Sequence, residues 1–197
     1  MAPPCAEPHA VDLLMRDHQI VLALCDALDV EAARVRADGR LRQDFWRDVL
    51  AFCGEFLESI HHRKEEDLLF EAMVAQGFPK SPGPIAAMTA EHGDARELIE
   101  QWRGVLAAGD PVGVARVART FADLHRQHVA REDNVLFVLA RQIVPGQAAA
   151  AAARAMQALG AAHDEPRLVA LVRVLCADVG VDFDRERHPP FEGHCHL

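Results

Sequence analysis

An all-α chain, folded as an up-down-up-down four-helix bundle with a C-terminal helical extension, is specified by three features of this sequence. Apolar residues recur at spacings of three and four along four long stretches, the period of a helix with one buried face. The stretches are separated by "ADGR", "GFPKSPGP" and "AAGDP", short helix-breaking segments that leave little chain to cross between distant ends. Half of the 197 residues are hydrophobic, Ala, Leu, Val, Arg and Glu abound, and Tyr is absent, a mixture suited to helices and long enough to bury a real core.

The first helix is expected over about residues 10–37, with Val11, Leu14, His18, Val21, Cys25 and Leu28 facing inward. The second, over about 42–76, lines up Leu50, Cys53, Leu57, His61, Glu65, Leu68 and Ala72. Ile85, Met88, His92, Ala95, Ile99 and Trp102 form the inner stripe of the third, over about 83–108. The fourth, over about 111–143, reads Val117, Phe121, Leu124, His128, Glu132, Val135 and Leu139. Residues 1–144 thus make the bundle. Residues 145–197 make the extension, two shorter helices packed as a cap and then a polar tail, "DRERHPPFEGHCHL", expected to fray.

The formal net charge of −9 speaks against nucleic acid or an anionic membrane surface as partner, since both reward basic patches. The N-terminal stretch lacks a basic start followed by an apolar run, and no segment has the apolar length of a membrane span. A soluble cytoplasmic protein is expected. The five cysteines are scattered and odd in number, which argues against a disulfide framework; Cys25 and Cys53 suit small core positions, and Cys5 and Cys195 exposed ones. In the tail, His188, His194, Cys195 and His196 resemble a surface metal-binding tract.

Every core helix therefore carries an inward histidine, and the second and fourth add an inward glutamate one turn later. The segments "HHRKEEDLLF" and "HVAREDNVLF" match in register, and "RDH" and "AEH" precede them at 18 and 92, the mark of a duplicated helix pair. His62 and Glu66, about 100 degrees round the helix, are assigned with Asp67 and Asp133 to a solvated face. Glu58 and His125, one turn before His61 and His128, are candidates for orienting the ligand imidazoles. Trp46, Trp102, Phe52, Phe56 and Phe121 are read as packing.

Four imidazoles and two carboxylates in a core would be costly if left unpaired. A metal pair resolves that cost, held by His18, His61, Glu65, His92, His128 and Glu132. Nitrogen and carboxylate oxygen without thiolate favour iron or manganese over a structural zinc site.

On these six residues, across roughly residues 10–143, the chain resembles the hemerythrin family and in particular the bacterial hemerythrin-like HHE domains. The resemblance implies two iron ions, bridged by both carboxylates and an oxo or hydroxo group, with manganese or zinc as substitutes, and a small diatomic ligand (O2 or NO) or peroxide as partner. No catalytic residue is implied. Oxygen-carrying hemerythrins place a His-x-x-x-His pair on the third helix, whereas here Met88 and Arg96 flank His92 at that spacing. Four nitrogens, four carboxylate oxygens and a shared bridge fill about ten of roughly twelve octahedral positions, which suits sensing or detoxification better than reversible carriage.

Three alternatives stand beside this reading. The segments around His61, His92 and His128 are also similar to the di-iron domain of iron-sulfur-cluster repair proteins, although their separate cysteine-bearing domain is missing. Ferritin-like iron oxidation or storage uses Glu-x-x-His from two helices and a lone Glu from each of the others; Glu58 to His61 offers one such motif, but His125 stands where its partner should be. A regulatory module with a structural metal centre, acting through the extension, is the third.

Overall fold

Residues 9–187 are described by the computed structural model, and within them the chain is a helical bundle. Four long helical runs form it. The first is α1 (Ala10–Asp38). The second is helical at every residue through α2 (Gln43–Phe52), π1 (Cys53–His61), π2 (Lys64–Leu69) and α3 (Phe70–Ala75). The third is α4 (Pro84–Ala107), and the fourth is α5 (Pro111–Arg131), π3 (Glu132–Leu136) and α6 (Phe137–Ile143). The extension is α7 (Gly146–Ala162) and α8 (Glu165–Val179).

The ends follow from local chemistry. His9 caps α1 by accepting from Val11 N while Asp12 accepts from His9 N, a reciprocal arrangement that satisfies two otherwise orphaned donors. Gly39, at φ 71°, closes the same helix in the left-handed region, where a side chain would be strained. Proline opens α4 and α5 at their first positions, where its missing N–H costs nothing.

The inward stripes expected for the first and third helices are buried throughout. Those of the second and fourth runs hold as far as Glu65 and Glu132, except that Leu124 is half-buried beside the buried His125, and then slip by one residue. Leu69 and Met73 are buried in place of Leu68 and Ala72, and Leu136 and Ala140 in place of Val135 and Leu139, with Val135 49 % exposed. The cause is the π turns of π2 and π3, whose i→i+5 hydrogen bonds take up an extra residue and rotate everything that follows.

Two apolar clusters result, one on each side of a polar layer. The larger contains Leu24, Leu28, Trp46, Phe52, Phe56, Trp102 and Phe121, together with Cys25 and Cys53. The smaller contains Leu14, Leu69, Phe70, Met73, Met88 and Phe137. The extension does not cap an end. Helix α7 adds Ala149, Ala153 and Met156 to the smaller cluster, and α8 adds Leu168, Val172 and Leu175 to the larger, so the pair lies along the flank of α1 and the second run. The aromatic residues expected to pack are buried. Cys5, Cys195, His188, His194 and His196 lie outside the described residues. No helix within them is long and apolar enough to cross a membrane.

Candidate metal centre

The polar layer is where the six inward His and Glu side chains meet. His18 comes from the third turn of α1, His61 from the last residue of π1, Glu65 from π2, His92 from α4, His128 from the last turn of α5 and Glu132 from the start of π3. All are at most 2 % exposed. They form two four-residue groups, His18, His61, Glu65 and Glu132, and His92, His128, Glu65 and Glu132, in each of which one ligand atom per residue lies within 4.8 Å of the others. Both glutamates belong to both groups.

Nε2 is the inward nitrogen on all four imidazoles. It stands 3.2 Å from Glu132 Oε2 for His18 and for His128, 3.5 Å from Glu65 Oε1 for His61, and 3.3 Å from Glu65 Oε2 for His92. Two ligand atoms about 2.1 Å from a shared ion and at right angles stand about 3 Å apart, so the separations suit ligands of common cations. His18 Nε2 and all four carboxylate oxygens of Glu65 and Glu132 are buried without a hydrogen-bond partner among the described residues. Buried carboxylates are seldom left so, and the donor set fits a pair of cations.

The opposite ring nitrogens are all engaged. Nδ1 of His18 lies 2.7 Å from Asp133, that of His61 3.4 Å from Asp17, that of His92 2.7 Å from Glu66 and that of His128 2.9 Å from Glu91. Each carboxylate is the chain neighbour of one of the six: Asp17 precedes His18, Glu66 follows Glu65, Glu91 precedes His92 and Asp133 follows Glu132. Each also serves the next run round the bundle, first to second, second to third, third to fourth and fourth to first. An Nδ1–H donated to a carboxylate leaves the lone pair on Nε2 and makes it more basic, as metal-binding imidazoles require.

Two of these carboxylates correct the sequence reading. Glu66 and Asp133 do not form a solvated face but hold His92 and His18. His62, assigned to the same face, is 2 % exposed, its ring stacked 3.9 Å from that of His92. Asp67 alone is exposed, paired with Arg63. Of the two residues expected to orient ligands, Glu58 binds Arg96 and sits 3.1 Å from His62 Nδ1, while His125 donates from Nδ1 to Phe121 O and lies against the Phe121 ring. The orienting carboxylates are others, and the repeated Asp-His, Glu-His and Glu-acid dipeptides are the signal that marks them.

Among the protein groups alone, burial opposes charge on the imidazoles, but the carboxylates outweigh it. His92 is raised to about 9 by Glu65 and Glu66, His128 to about 10 by Glu132 and Glu91, and His18 well above its ordinary value by Asp133, Glu132 and Glu65. Glu132, against the cost of its burial, is held well below the carboxylate range by His128 and His18. Groups raised in the folded state stabilise it fully below about pH 6.5 and lose that contribution as pH rises through 9 to 10; a depressed carboxylate contributes above about 4.5 and loses it on acidification. The chelator-stripped chain is therefore expected to melt at least about 4 °C lower at pH 10 than at pH 6. Cations that displace the same protons should abolish the fall. Thermal scans of stripped and loaded protein check both, and a stripped chain equally stable at the two pH values would contradict the assignment of charge.

The pattern of the Hemerythrin HHE cation binding domain matches residues 9–140, a span that contains all six residues and all four outer carboxylates. No curated protein and no solved structure gives a match. The chain belongs to the hemerythrin HHE cation-binding domain family.

Proposed function

We propose that His18, His61, Glu65, His92, His128 and Glu132 hold two iron ions, and that the loaded protein captures O2, NO or peroxide for sensing or detoxification. The observation that carries this reading is the set of five buried, unpartnered ligand atoms at the meeting point of two groups that share both glutamates. The short connections between the runs support the up-down-up-down order that brings the six together.

Iron held there would supply a redox-active Lewis acid for a small ligand. The chain supplies the rest. Glu65 and Glu132 each offer an oxygen to either side of the centre, and the four outer carboxylates fix which nitrogen faces in. Phe137 stacks on His18 at 5.2 Å, and the Phe121 ring lies tilted against His125 at 4.0 Å, so apolar surface stands beside the imidazoles. Burial and the neighbouring imidazoles push His62 well below its ordinary value, and burial pushes His125 down to about 3. Both are therefore neutral at physiological pH; His125 spends Nδ1 on Phe121 O, whereas His62 Nδ1 is buried without a hydrogen-bond partner among the described residues.

Six ligands with four nitrogens are too rich in imidazole for ferritin-like iron oxidation or storage. The test is metal content per chain, followed by optical spectra of the reduced, iron-loaded protein with O2 and separately with NO. Rapid oxidation and a tight nitrosyl adduct support sensing or detoxification. A stable, slowly autoxidising oxygen adduct would favour carriage, and failure to take up iron would remove the proposal.

A further inference from the structure

We infer that Glu165 of the C-terminal extension and Lys64 are positioning residues for the His18/His61 half of the centre, acting through Asp17. This rests on the reading of the six ligands as a two-metal site and adds to it a contributor from beyond residue 140, where the family match ends.

The four links between outer carboxylates and ligand imidazoles are unequal. Three measure 2.7 to 2.9 Å, and their carboxylates are 7 %, 21 % and 28 % exposed. The fourth, Asp17 to His61, is 3.4 Å long, and the Asp17 side chain is 3 % exposed. Its carboxylate is drawn the other way by Lys64, whose Nζ lies 3.0 and 3.3 Å from the two Asp17 oxygens and is itself 2 % exposed.

That ammonium has a second partner, Glu165 Oε2 at 2.8 Å, on the first residue of α8. A buried ammonium between two carboxylates divides its hydrogen bonds between them. Where Glu91 and Glu66 take their arginines from the bundle, Arg131 and Arg96, Asp17 depends on a lysine that the extension holds in place.

Helix α8 is seated to do this. Leu168, Val172 and Leu175 anchor it in the larger apolar cluster, and the turn before it reverses through Asp164 at φ 51°. The carboxylate of Glu165 passes over Gly160 of α7, where a Cβ would come within 2.0 Å of Oε2. Glycine at 160 leaves the space that Glu165 occupies.

If Glu165 loses its charge, Lys64 turns wholly to Asp17, Asp17 turns from His61, and the His61 imidazole loses its orienting partner. Outer hydrogen bonds of this kind are worth about ten- to a hundredfold in metal affinity. The effect is confined to one half, because His92 and His128 are oriented by Glu66 and Glu91.

The full chain, stripped with a chelator, is titrated anaerobically with Fe(II) against a chromophoric competitor, and separately with Co(II), whose visible bands report ligand geometry. Glu165→Gln is expected to weaken one binding step about tenfold, to leave the other within about twofold, and to shift the bands of one ion only. Gly160→Ala, which displaces the same carboxylate without removing it, should weaken the same step. Glu165→Gln should add nothing to Lys64→Met, since both act on one path; if the lysine variant does not fold, the other two carry the test. Equal weakening of both steps, or no change in either, overturns the inference. A wild-type chain that binds two ions keeps the two-metal reading in either case, whereas one that binds none overturns both.

Discussion

Glu132→Ala is expected to take the chain from two bound ions to at most one. Both groups of ligands include this carboxylate, and its Oε2 stands 3.2 Å from His18 Nε2 on one side and from His128 Nε2 on the other. Glu65 is the other residue common to both groups, but it cannot replace the oxygens that Glu132 contributes, so neither side keeps its full set when Glu132 goes. Removing one partner of a buried, charged cluster also strands the rest, at a cost of about 3 to 5 kcal/mol when no proton shift relieves it. Here the relief is available: the imidazoles that Glu132 raises shed their protons, and the fold survives with the metal lost. Glu132→Gln should behave alike, because an amide keeps the shape but brings no charge. His125→Leu is the control, an equally buried imidazole outside both groups, and should retain both ions. Metal analysis after anaerobic loading decides the matter, and a Glu132→Ala chain that keeps two ions would refute the ligand set.

Leu69→Ala and Leu136→Ala should each cost about 2 to 5 kcal/mol, as large-to-small changes in a filled core do. Val135→Ala should cost under about 0.5 kcal/mol. The contrast is large because neighbours in sequence lie on opposite sides of a register shift: Leu69 is 0 % and Leu136 1 % exposed, Val135 49 %. Uninterrupted α-helix would invert the Leu136 and Val135 results. Chemical denaturation of the loaded protein at fixed metal concentration measures the ordering, and Val135→Ala proving the costlier change would show that the fourth run carries no π turn.

The same shift separates what could be read in the sequence from what could not. The stripes of α1 and α4 follow the ordinary helical period and are legible to their ends, His18 and His92 included. The second and fourth runs are legible as far as Glu65 and Glu132, beyond which the turns of π2 and π3 shift the register, and nothing in "EEDLLF" or "EDNVLF" announces that shift, since Leu follows Leu and Leu follows Val with little to choose between them. The angle alone puts His62 in solvent. In the structure its ring is covered by His92 from α4, a contact between elements that no single-helix projection contains. Glu66 and Asp133 failed for another reason: isolated acids beside a buried residue are usually solvated, and only an imidazole from a neighbouring run overturns that expectation. Lys64 carries no local mark, because its partners are 47 and 101 residues away.

The ring of orienting carboxylates bears on how such a chain could arise. Asp17 to His61 and Glu91 to His128 close within a helical hairpin; Glu66 to His92 and Asp133 to His18 close between hairpins. One hairpin facing a rotated copy of itself would make all four by symmetry, since an isologous contact repeats each link in both directions. An ancestral gene for one hairpin, about half of the bundle, would already encode the whole ring as a homodimer. What fusion permits is inequality, and the arm from Glu165 rests on only one of the two halves.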